Sequence, residues 1–385
     1  MIALGNRSLF PSLRYPIYLN HAAISPPSQA VQQAVQVYMA DFAARGTGAY
    51  VHWDQQRERL REKVARLIGA RPEEIAWVQS TGTGLLFVAL CVDWKPGDRV
   101  VLFQGEFPAN ITPWQRAAAM CSLELMWLHP SDRVLENLES ALRRGARLVA
   151  VSAVQFQTGL RMPIEAMGAL CRRFGAMLAI DGIQACGAVP FDVEGSGADF
   201  MACGSHKWLM GPMGAGFLYV RRERVPELRP WIAGWRSHEE PYRFLFEGAG
   251  HLRYDRPLRK EASFFELGTQ ADAGYAGLEA ALDPLLELGV DAVYRHINRY
   301  LDELEPEMKR LGFRSARPTD PESRSGMLSM LPPDGVVLSE LVSRLDAEGI
   351  AVSMPDGYLR FSPQWPNSLD EIPHLLEKLG KLNKR

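Results

Sequence analysis

Short apolar runs alternate with stretches of helical spacing through the first half of the chain. Strand-like runs are predicted at 75–79, 99–103, 123–128, 147–154, 177–180 and 200–203. Helical spacing is found at 27–44, 57–68, 85–90, 114–120 and 164–173. Strands that alternate with helices are joined by right-handed crossovers. The pattern therefore predicts an α/β three-layer sandwich, in which helices cover both faces of a mostly parallel sheet.

The second half of the chain changes character. Long amphipathic helices are predicted at 273–288 and 294–311, and a smaller α+β unit follows them. Its predicted elements are 326–331, 339–348, 350–354 and a closing helix near 370–382. We therefore expect a large domain over residues 20–285 and a small C-terminal domain over residues 286–385, which residues 1–19 join.

A loop-rich stretch over residues 229–265 separates the two patterns. Long loops inside compact domains are usually functional or disordered. This one is dense in Trp, Tyr and Phe, and such a composition argues against disorder. The stretch is therefore a candidate for shaping a substrate pocket.

Composition and charge narrow the class of protein. The 385 residues carry a formal net charge of −2, which provides no basic field for nucleic acid. No secretory signal and no apolar run long enough for a membrane are apparent. The five cysteines are odd in number and form no CxxC or Cys/His cluster, so neither a disulfide framework nor a metal site is expected. A cytoplasmic location is the plain inference.

An acid and an amine follow two neighbouring predicted strands. Asp181 ends the run that begins at Met177, and Ser205-His206-Lys207 follow the run 200–203. Ligands of open α/β sheets bind beyond the carboxyl ends of the strands. A pyridinium cofactor needs a carboxylate on its ring nitrogen, and its aldehyde needs a lysine for a Schiff base. A structural Asp–Lys ion pair is the alternative explanation.

A second motif offers an anion site. Ser80-Thr81-Gly82-Thr83-Gly84 stands between a strand-like run and a helical one. Such a turn presents backbone N–H groups and the positive end of a helix dipole. It matches neither a Walker A sequence nor GxGxxG, and a simple N-cap would also explain it.

Taken together, these motifs resemble the class V aminotransferase family of fold-type I pyridoxal-phosphate enzymes. That family includes cysteine desulfurases, kynureninases and isopenicillin-N-epimerase-like proteins. The residues that carry the resemblance are Asp181-Gly182-Ile183-Gln184, Ser205-His206-Lys207-Trp208 and the glycines Gly211, Gly214 and Gly216. The resemblance implies pyridoxal 5′-phosphate on Lys207, with Asp181 on the pyridine nitrogen.

The same resemblance assigns further cofactor contacts. It implies that the phosphate is held by Thr81, Gly82, Thr83 and Ser205, and that Phe107 stacks on the ring. Phe107 stands where desulfurases usually have His, and Phe cannot move a proton. The other positions implied near the cofactor are Gln157, Gln184 and His206.

Substrate and partner contacts are implied in the same way. Arg360 should grip the α-carboxylate of an amino acid substrate, because its planar fork binds carboxylates in a bidentate manner. Asn20 and Gln155 should also lie near the substrate. Thr269, in an element like the family's FExGT, should reach the phosphate bound by the neighbouring subunit. A homodimer with shared active sites is therefore expected.

One absence bears on the reaction. Desulfurases carry a nucleophilic Cys on the loop before that arginine, but residues 352–357 read VSMPDG. Cysteine cleavage by simple β-elimination would need no thiol on the enzyme. The leading hypothesis is an aminotransferase-family enzyme that acts on an amino acid through a lysine Schiff base. The alternatives are a lyase or an epimerase of the same fold and, more remotely, a non-catalytic pyridoxal-phosphate-binding protein.

Overall fold

The computed structural model describes residues 2–382, and within that range a seven-stranded sheet forms the centre of the molecule. The strands are β1 (Ile17–Tyr18), β2 (Ile75–Val78), β3 (Arg99–Phe103), β4 (Glu124–Leu128), β5 (Ala146–Ser152), β6 (Met177–Asp181), β7 (Phe200–Gly204), β8 (Gly216–Val220), β9 (Arg314–Ser315), β10 (Leu328–Leu331), β11 (Ile350–Ala351) and β12 (Leu359–Phe361).

Helices make up most of the rest of the described chain. They are α1 (Gln29–Arg45), α2 (Tyr50–Ile68), α3 (Thr81–Cys91), α4 (Thr112–Cys121), α5 (Val134–Arg143), α6 (Ile164–Phe174), α7 (Val193–Ser196), α8 (Arg243–Phe246), α9 (Asp272–Leu288), α10 (Val290–Arg310), α11 (Leu338–Ala347) and α12 (Glu371–Leu382).

The central sheet has the order β2-β8-β7-β6-β5-β3-β4. Strand β8 runs antiparallel to both of its neighbours, and the other strands run parallel. The carboxyl ends of β5, β6 and β7 therefore meet at one edge, where Ser152 pairs with Asp181 and Asp181 pairs with Ala202. The mostly parallel sheet was predicted from the alternating pattern, and the structure confirms it.

Both faces of the sheet are buried. On β6, Leu178 and Ile180 pack into one hydrophobic cluster, whereas Met177 and Ala179 pack into the other. This alternation follows from the two-residue period of a strand. Apolar residues of α5 and α6 join the first cluster, and those of α3 and α4 join the second. The result is the three-layer arrangement that the sequence predicted.

Two of the longer helices differ most from the sequence prediction, and the four-residue helices α7 and α8 were also not predicted. Helix α2 begins at Tyr50, seven residues before the predicted start, directly after a 3₁₀ turn and without a side-chain cap. Trp53 holds this first part by packing in a small cluster with Ala49 and Ala276. Helix α5 was not predicted, although Leu138 and Leu142 repeat with helical spacing and are buried. Tertiary packing decides both cases.

The C-terminal part builds smaller sheets. Strands β9, β10 and β12 form an antiparallel sheet in the order β12-β10-β9. Strand β1, near the N-terminus, pairs in parallel with β11. Helix α10 packs against α12 through an apolar face that includes Ile297 and Leu304. The division into domains at residues 285 and 286 stays a proposal, and it would fall within the last turn of α9.

Two searches of residues 2–382 bear on the class of protein. Among these residues, no helix is both long and apolar enough to cross a membrane. Nor does this part of the chain contain a group of three or more His, Cys, Asp or Glu side chains placed to hold a metal ion.

Candidate active site

Asp181 and Lys207 occupy the carboxyl-end edge of the central sheet. Asp181 is the last residue of β6 and is 2% exposed. Its Oδ1 accepts a hydrogen bond of 2.9 Å from the backbone N–H of Ile183. Lys207 follows the end of the neighbouring strand β7 by three residues. A buried carboxylate and a half-buried amine are therefore presented from adjacent strands.

Burial shifts the pKa of both groups in the direction that favours their uncharged forms. It raises the pKa of Asp181 to about 6, against the opposing effects of the Ile183 N–H and the Lys207 charge. It lowers the pKa of Lys207 to about 8; the charge of Arg360 adds to this effect, while Asp181 opposes it. An amine that loses its proton near neutral pH is suited to act as nucleophile or base.

The amino end of α3 lies beside the strand that carries Lys207. Ser80 caps the helix, since its Oγ accepts a hydrogen bond of 3.2 Å from the N–H of Thr83. Thr81 Oγ1 accepts a bond of 3.0 Å from the N–H of Gly204, the last residue of β7. The turn at Thr81, Gly82 and Thr83 is thereby tied to the residue that precedes Ser205. A helix start in this position suits an anion.

Ser205 and His206 lie between that turn and Lys207. Ser205 is fully buried, and its hydroxyl donates a bond of 2.6 Å to the carbonyl of Pro212. This bond directs the hydroxyl proton away from any phosphate, so a role for Ser205 as phosphate donor stays a prediction. His206 is half-buried, and burial together with the charge of Lys207 lowers its pKa.

An aromatic side chain faces the amine. The ring centroid of Phe107 lies 5.6 Å from Lys207 Nζ. Phe107 packs edge-on against Phe156 at 5.3 Å, yet it stays 46% exposed. A flat, partly open ring next to a reactive amine is suited to stack on a heteroaromatic group.

Arg360 is a buried cation that forms no ion pair with any described residue. It lies on β12 and is 4% exposed. Its Nη1 donates 2.6 Å to the carbonyl of Phe156, and its Nε donates 3.2 Å to Ser353 Oγ. In the part of the chain that the structure describes, no carboxylate forms an ion pair with Arg360, and burial lowers its pKa to about 10. A cation buried without a partner favours an anionic ligand.

The predicted residues Asn20, Gln155 and Gln157 differ in whether their polar atoms are already hydrogen-bonded within the protein. Asn20 has a buried Oδ1 that meets no hydrogen-bond donor in residues 2–382. Gln155 is occupied by the protein, because its Nε2 donates to the carbonyl of Gln104 and its Oε1 accepts from Thr158. Gln157 donates from Nε2 to Asp356 Oδ2 at 2.5 Å. Asn20 is thus the one of these three with a buried polar atom that finds no partner among the described residues.

Gln184 has both ends of its amide bound inside the protein. Its Nε2 donates 3.0 Å to the carbonyl of Ala22, and its Oε1 accepts a bond of 2.8 Å from Trp208 Nε1. These bonds join the segment after β1 to the residue after Lys207. Its predicted contact with a cofactor stays a prediction, and the structure adds a positioning role.

Thr269 lies apart from this constellation. It is exposed, and within the described residues its side chain makes no hydrogen bond. The structure therefore does not bring Thr269 into contact with the other predicted residues.

One acid was overlooked in the sequence. Glu106 follows the end of β3, and its carboxylate accepts hydrogen bonds from the N–H of Ser152 at 2.7 Å, from Ser152 Oγ, and from Asn110 Nδ2 at 3.2 Å. Ser152 is the sheet partner of Asp181. Burial raises the pKa of Glu106 to about 7, and the charge of Asp181 adds to the rise. The sequence signal that could have found Glu106 is its position just beyond the end of a predicted strand.

A buried chain of hydrogen bonds holds the backbone at Lys207. Ser25 Oγ donates 2.6 Å to the carbonyl of Lys207, and Ser25 N donates 2.8 Å to that of His206. His21 Nδ1 lies 2.7 Å from Ser25 Oγ. Since the serine proton points to Lys207, His21 carries its own proton on Nδ1. Burial lowers the pKa of His21 to about 3, so the ring is neutral near pH 7.

Cys186 and Cys203 lie near the site, but both are buried. Cys121 is partly exposed, and the other four are buried. Burial raises the pKa of Cys91, of Cys203 and of Cys171, the last to about 12. Reactive thiols need a lowered pKa and access to solvent, and these three have neither.

The arrangement fits pyridoxal phosphate on chemical grounds. An amine suits its aldehyde, a buried carboxylate suits its pyridine nitrogen, and the start of α3 suits its phosphate. The unpaired Asn20 Oδ1 and the unpaired Arg360 remain for a substrate that brings its own donor and carboxylate.

Comparison with known families gives a match over most of the chain. The model of the family aminotransferase class V matches residues 17–358. A probable cysteine desulfurase of Chlamydia muridarum is 32% identical over 356 residues, which cover 87% of this chain and 84% of that protein. Arg360 lies two residues beyond the family match, so its role depends on the geometry above.

Solved structures agree with this match. A cysteine desulfurase from Thermococcus onnurineus in its apo form has a TM-score of 0.86 and 26% identity, covering 99% of this chain and all of that chain. The cystine C–S lyase C-DES, solved with its reaction product cysteine persulfide, has a TM-score of 0.87 and 25% identity. That alignment covers 96% of this chain and 99% of the lyase.

Proposed function

The chain belongs to the class V aminotransferase family, and we propose that it is a carbon–sulfur lyase that cleaves a cysteine-type amino acid by β-elimination. It is a pyridoxal-phosphate-dependent enzyme of the fold shared by the cysteine desulfurases. What the proposal adds is the reaction and the substrate class.

One observation carries the proposal. The hairpin that holds Arg360 has Met354 and Asp356 where a nucleophilic cysteine would be needed. The described part of the chain supplies no other accessible thiol near Lys207, because Cys186 and Cys203 are buried there. A desulfurase would need such a thiol, whereas β-elimination from a substrate whose own β-substituent departs does not, and this favours elimination.

The similarity to C-DES supports this direction. That protein is a cystine C–S lyase whose product is cysteine persulfide, and its fold covers nearly the whole of this chain. The similarity to desulfurases is of the same order, so the missing hairpin cysteine is what supports the lyase reaction over the desulfurase reaction.

The residues divide the work as follows. When bound, pyridoxal phosphate supplies an aldehyde for the substrate amine and an electron sink for the charge left at Cα. Asp181 keeps a proton on the pyridine nitrogen, which its buried charge stabilises. Lys207, with its lowered pKa, removes the proton from Cα. Arg360 binds the α-carboxylate and so fixes which bond at Cα is broken.

The nature of Phe107 limits the leaving group. A phenyl ring can cover the reacting atoms, but it cannot protonate a departing sulfur. A leaving group that departs as a weakly basic anion needs no such proton. Disulfides and other activated β-substituents meet this condition better than a simple thiol does.

Product analysis tests the proposal. For L-cystine, elimination with one water gives pyruvate, ammonia and cysteine persulfide in equal amounts. We expect pyruvate and ammonia at a one-to-one ratio from the purified holoenzyme. Alanine as the main product would instead indicate a desulfurase. Turnover that depends on an added keto acid would indicate transamination, and inversion at Cα without cleavage would indicate an epimerase.

We propose two further properties. The exposed Thr269 suits a homodimer in which it reaches the partner subunit's phosphate site. The five free cysteines suit a reducing, cytoplasmic location.

A further inference from the structure

The hairpin that presents Arg360 also presents an acid. Ser353 and Arg360 pair across it, with Arg360 N donating 2.8 Å to the carbonyl of Ser353. Between them lies a 3₁₀ turn, Pro355–Gly357, with Asp356 at its centre. Arg360 is buried at the base, and Asp356 is exposed at the tip. A positive and a negative group thus stand four residues apart on one rigid turn.

Asp356 has an uncommon backbone conformation. Its φ is 47° and its ψ is 44°, in the left-handed region. Few residues other than glycine adopt this region, although Asp and Asn do so more readily than the rest. The chain holds the carboxylate in this position although Gly357, the next residue, also has positive φ. Such outliers concentrate at functional sites.

A contact joins Asp356 to the mouth of the active site. Asp356 Oδ2 accepts the 2.5 Å bond from Gln157 Nε2. The residue before Gln157 is Phe156, whose carbonyl accepts from Arg360 and whose ring packs on Phe107. Asp356 therefore lies on the outer side of the position where Arg360 and Phe107 would hold a substrate.

The charge of Asp356 is not neutralised by the protein. Within residues 2–382 it forms no ion pair, and its one recorded side-chain bond is to the neutral Gln157. Of its four acceptor positions, at least two stay free for a ligand. An α-amino acid held by Arg360 would thus extend its side chain toward an unpaired carboxylate.

We propose that Asp356 selects substrates whose β-substituent carries an ammonium group within its reach, such as the second α-ammonium group of a disulfide-linked amino acid. The inference rests on the proposed lyase function and adds the substrate class. In a disulfide, the two α-carbons lie roughly 4.4–6.8 Å apart. The far ammonium group of cystine is therefore carried outward from the Arg360 pocket, in the direction of the rim.

The test compares three substrates that can all undergo β-elimination. L-Cystine carries a far ammonium group beside a far carboxylate, β-chloro-L-alanine carries neither, and S-sulfo-L-cysteine carries only a far anion. Asp356→Asn removes the charge and keeps the left-handed conformation accessible. Because Asp356 is exposed, we expect KM for cystine to rise about three- to fivefold. KM for β-chloroalanine should stay within about twofold, and KM for sulfocysteine should fall.

A matched control separates this effect from net charge. Glu377→Gln removes one exposed carboxylate on α12 and should change none of the three KM values. A second readout does not depend on turnover: in a Lys207→Ala background, the cofactor absorbance reports equilibrium binding of the same compounds. Asp356→Asn should weaken the binding of cystine selectively there, and less so at high salt.

The outcomes are distinct. An equal loss on all three substrates would mean that Asp356 only shapes the hairpin, and would overturn the proposal. So would unchanged binding of cystine. If the wild-type enzyme cleaves none of the three, the lyase function fails, and the absorbance titration still decides whether Asp356 discriminates between cationic and anionic side chains.

Discussion

The floor and the rim of the active site are built in opposite ways. We define the floor as Asp181, Gln184, Ser205 and Lys207, and the rim as Phe107, Gln157, Met354 and Asp356. In the floor, Asp181, Gln184 and Ser205 are buried and hydrogen-bonded within the protein, as in the bonds of Asp181 to Ile183 and of Ser205 to Pro212, and Lys207 is half-buried. At the rim, Phe107 is 46% and Met354 is 43% exposed.

The contrast indicates how the two parts contribute. A buried floor shifts pKa values and holds the reacting groups rigidly, which is what a cofactor reaction needs. An exposed rim has polar atoms free for a ligand. Under the proposed function, the floor would carry the chemistry common to the family, and the rim would select the amino acid that is cleaved.

The largest effect is expected from the floor. Asp181→Asn keeps the shape of the side chain and removes its charge, so the pyridine nitrogen is no longer held protonated. Turnover should fall about a hundred- to a thousandfold, as it does when one preorganised electrostatic group is lost. Steady-state kinetics of the holoenzyme would show this. A fall of less than about tenfold would place Asp181 outside the reaction.

The same variant should gain stability without the cofactor. The pKa of Asp181 is raised from 3.8 to about 6 in the folded protein, so the folded state binds the proton more tightly. Wild-type stability from this group is then lost as pH rises from about 4 to about 6. Asn does not titrate, and urea unfolding should show its advantage growing over that range to on the order of 1–3 kcal/mol.

Arg360, between the floor and the rim, should have the next largest effect. Arg360→Lys keeps the charge but loses the bidentate fork and the bond to Phe156. We expect kcat/KM for an α-amino acid to fall roughly ten- to a hundredfold while the cofactor stays bound. A silent substitution would indicate a substrate that lacks an α-carboxylate.

Thr269 tests whether a second subunit completes the floor. The protein should elute as a dimer or a larger assembly. Thr269→Ala should weaken cofactor retention about tenfold, which corresponds to the loss of one hydrogen bond to a charged group. Gel filtration and cofactor release by dialysis measure both properties. Full cofactor occupancy in a monomer would contradict the shared site.

The smallest effect is expected from the cysteines. Replacing each by Ala or Ser should leave turnover within about twofold, with loss of stability at the four buried positions. Cys186 and Cys203 are the most informative positions because they lie near the floor. Burial raises the pKa of the Cys203 thiol, and the charge of Asp181 raises it further. A cysteine that proved indispensable would restore a thiol-dependent desulfurase mechanism.

The sequence predicted the strands that carry the floor better than it predicted the side-chain contacts of the site. Strand β3 has the predicted bounds, and β6 extends the prediction by one residue, to Asp181. These strands are continuous apolar runs, and the groups that follow them are placed by the sheet itself. Local patterns suffice for such cases.

Long-range contacts explain what the sequence did not predict. The amide of Gln184 joins Ala22 to Trp208, and Glu106 bonds to Ser152 across 46 positions. The bond between Gln157 and Asp356 spans 199 positions. No local pattern marks such pairs, so the roles of these residues appear only when the chain is folded.

Peptide mapping after borohydride reduction tests the central claim most directly. If the floor holds the cofactor as described, reduction of the yellow holoenzyme should attach one pyridoxyl group per chain, on the peptide that contains Lys207. The Lys207→Ala variant, treated in the same way, should show no label. Label on another lysine, or a wild-type protein that cannot be labelled after incubation with pyridoxal phosphate, would contradict the account.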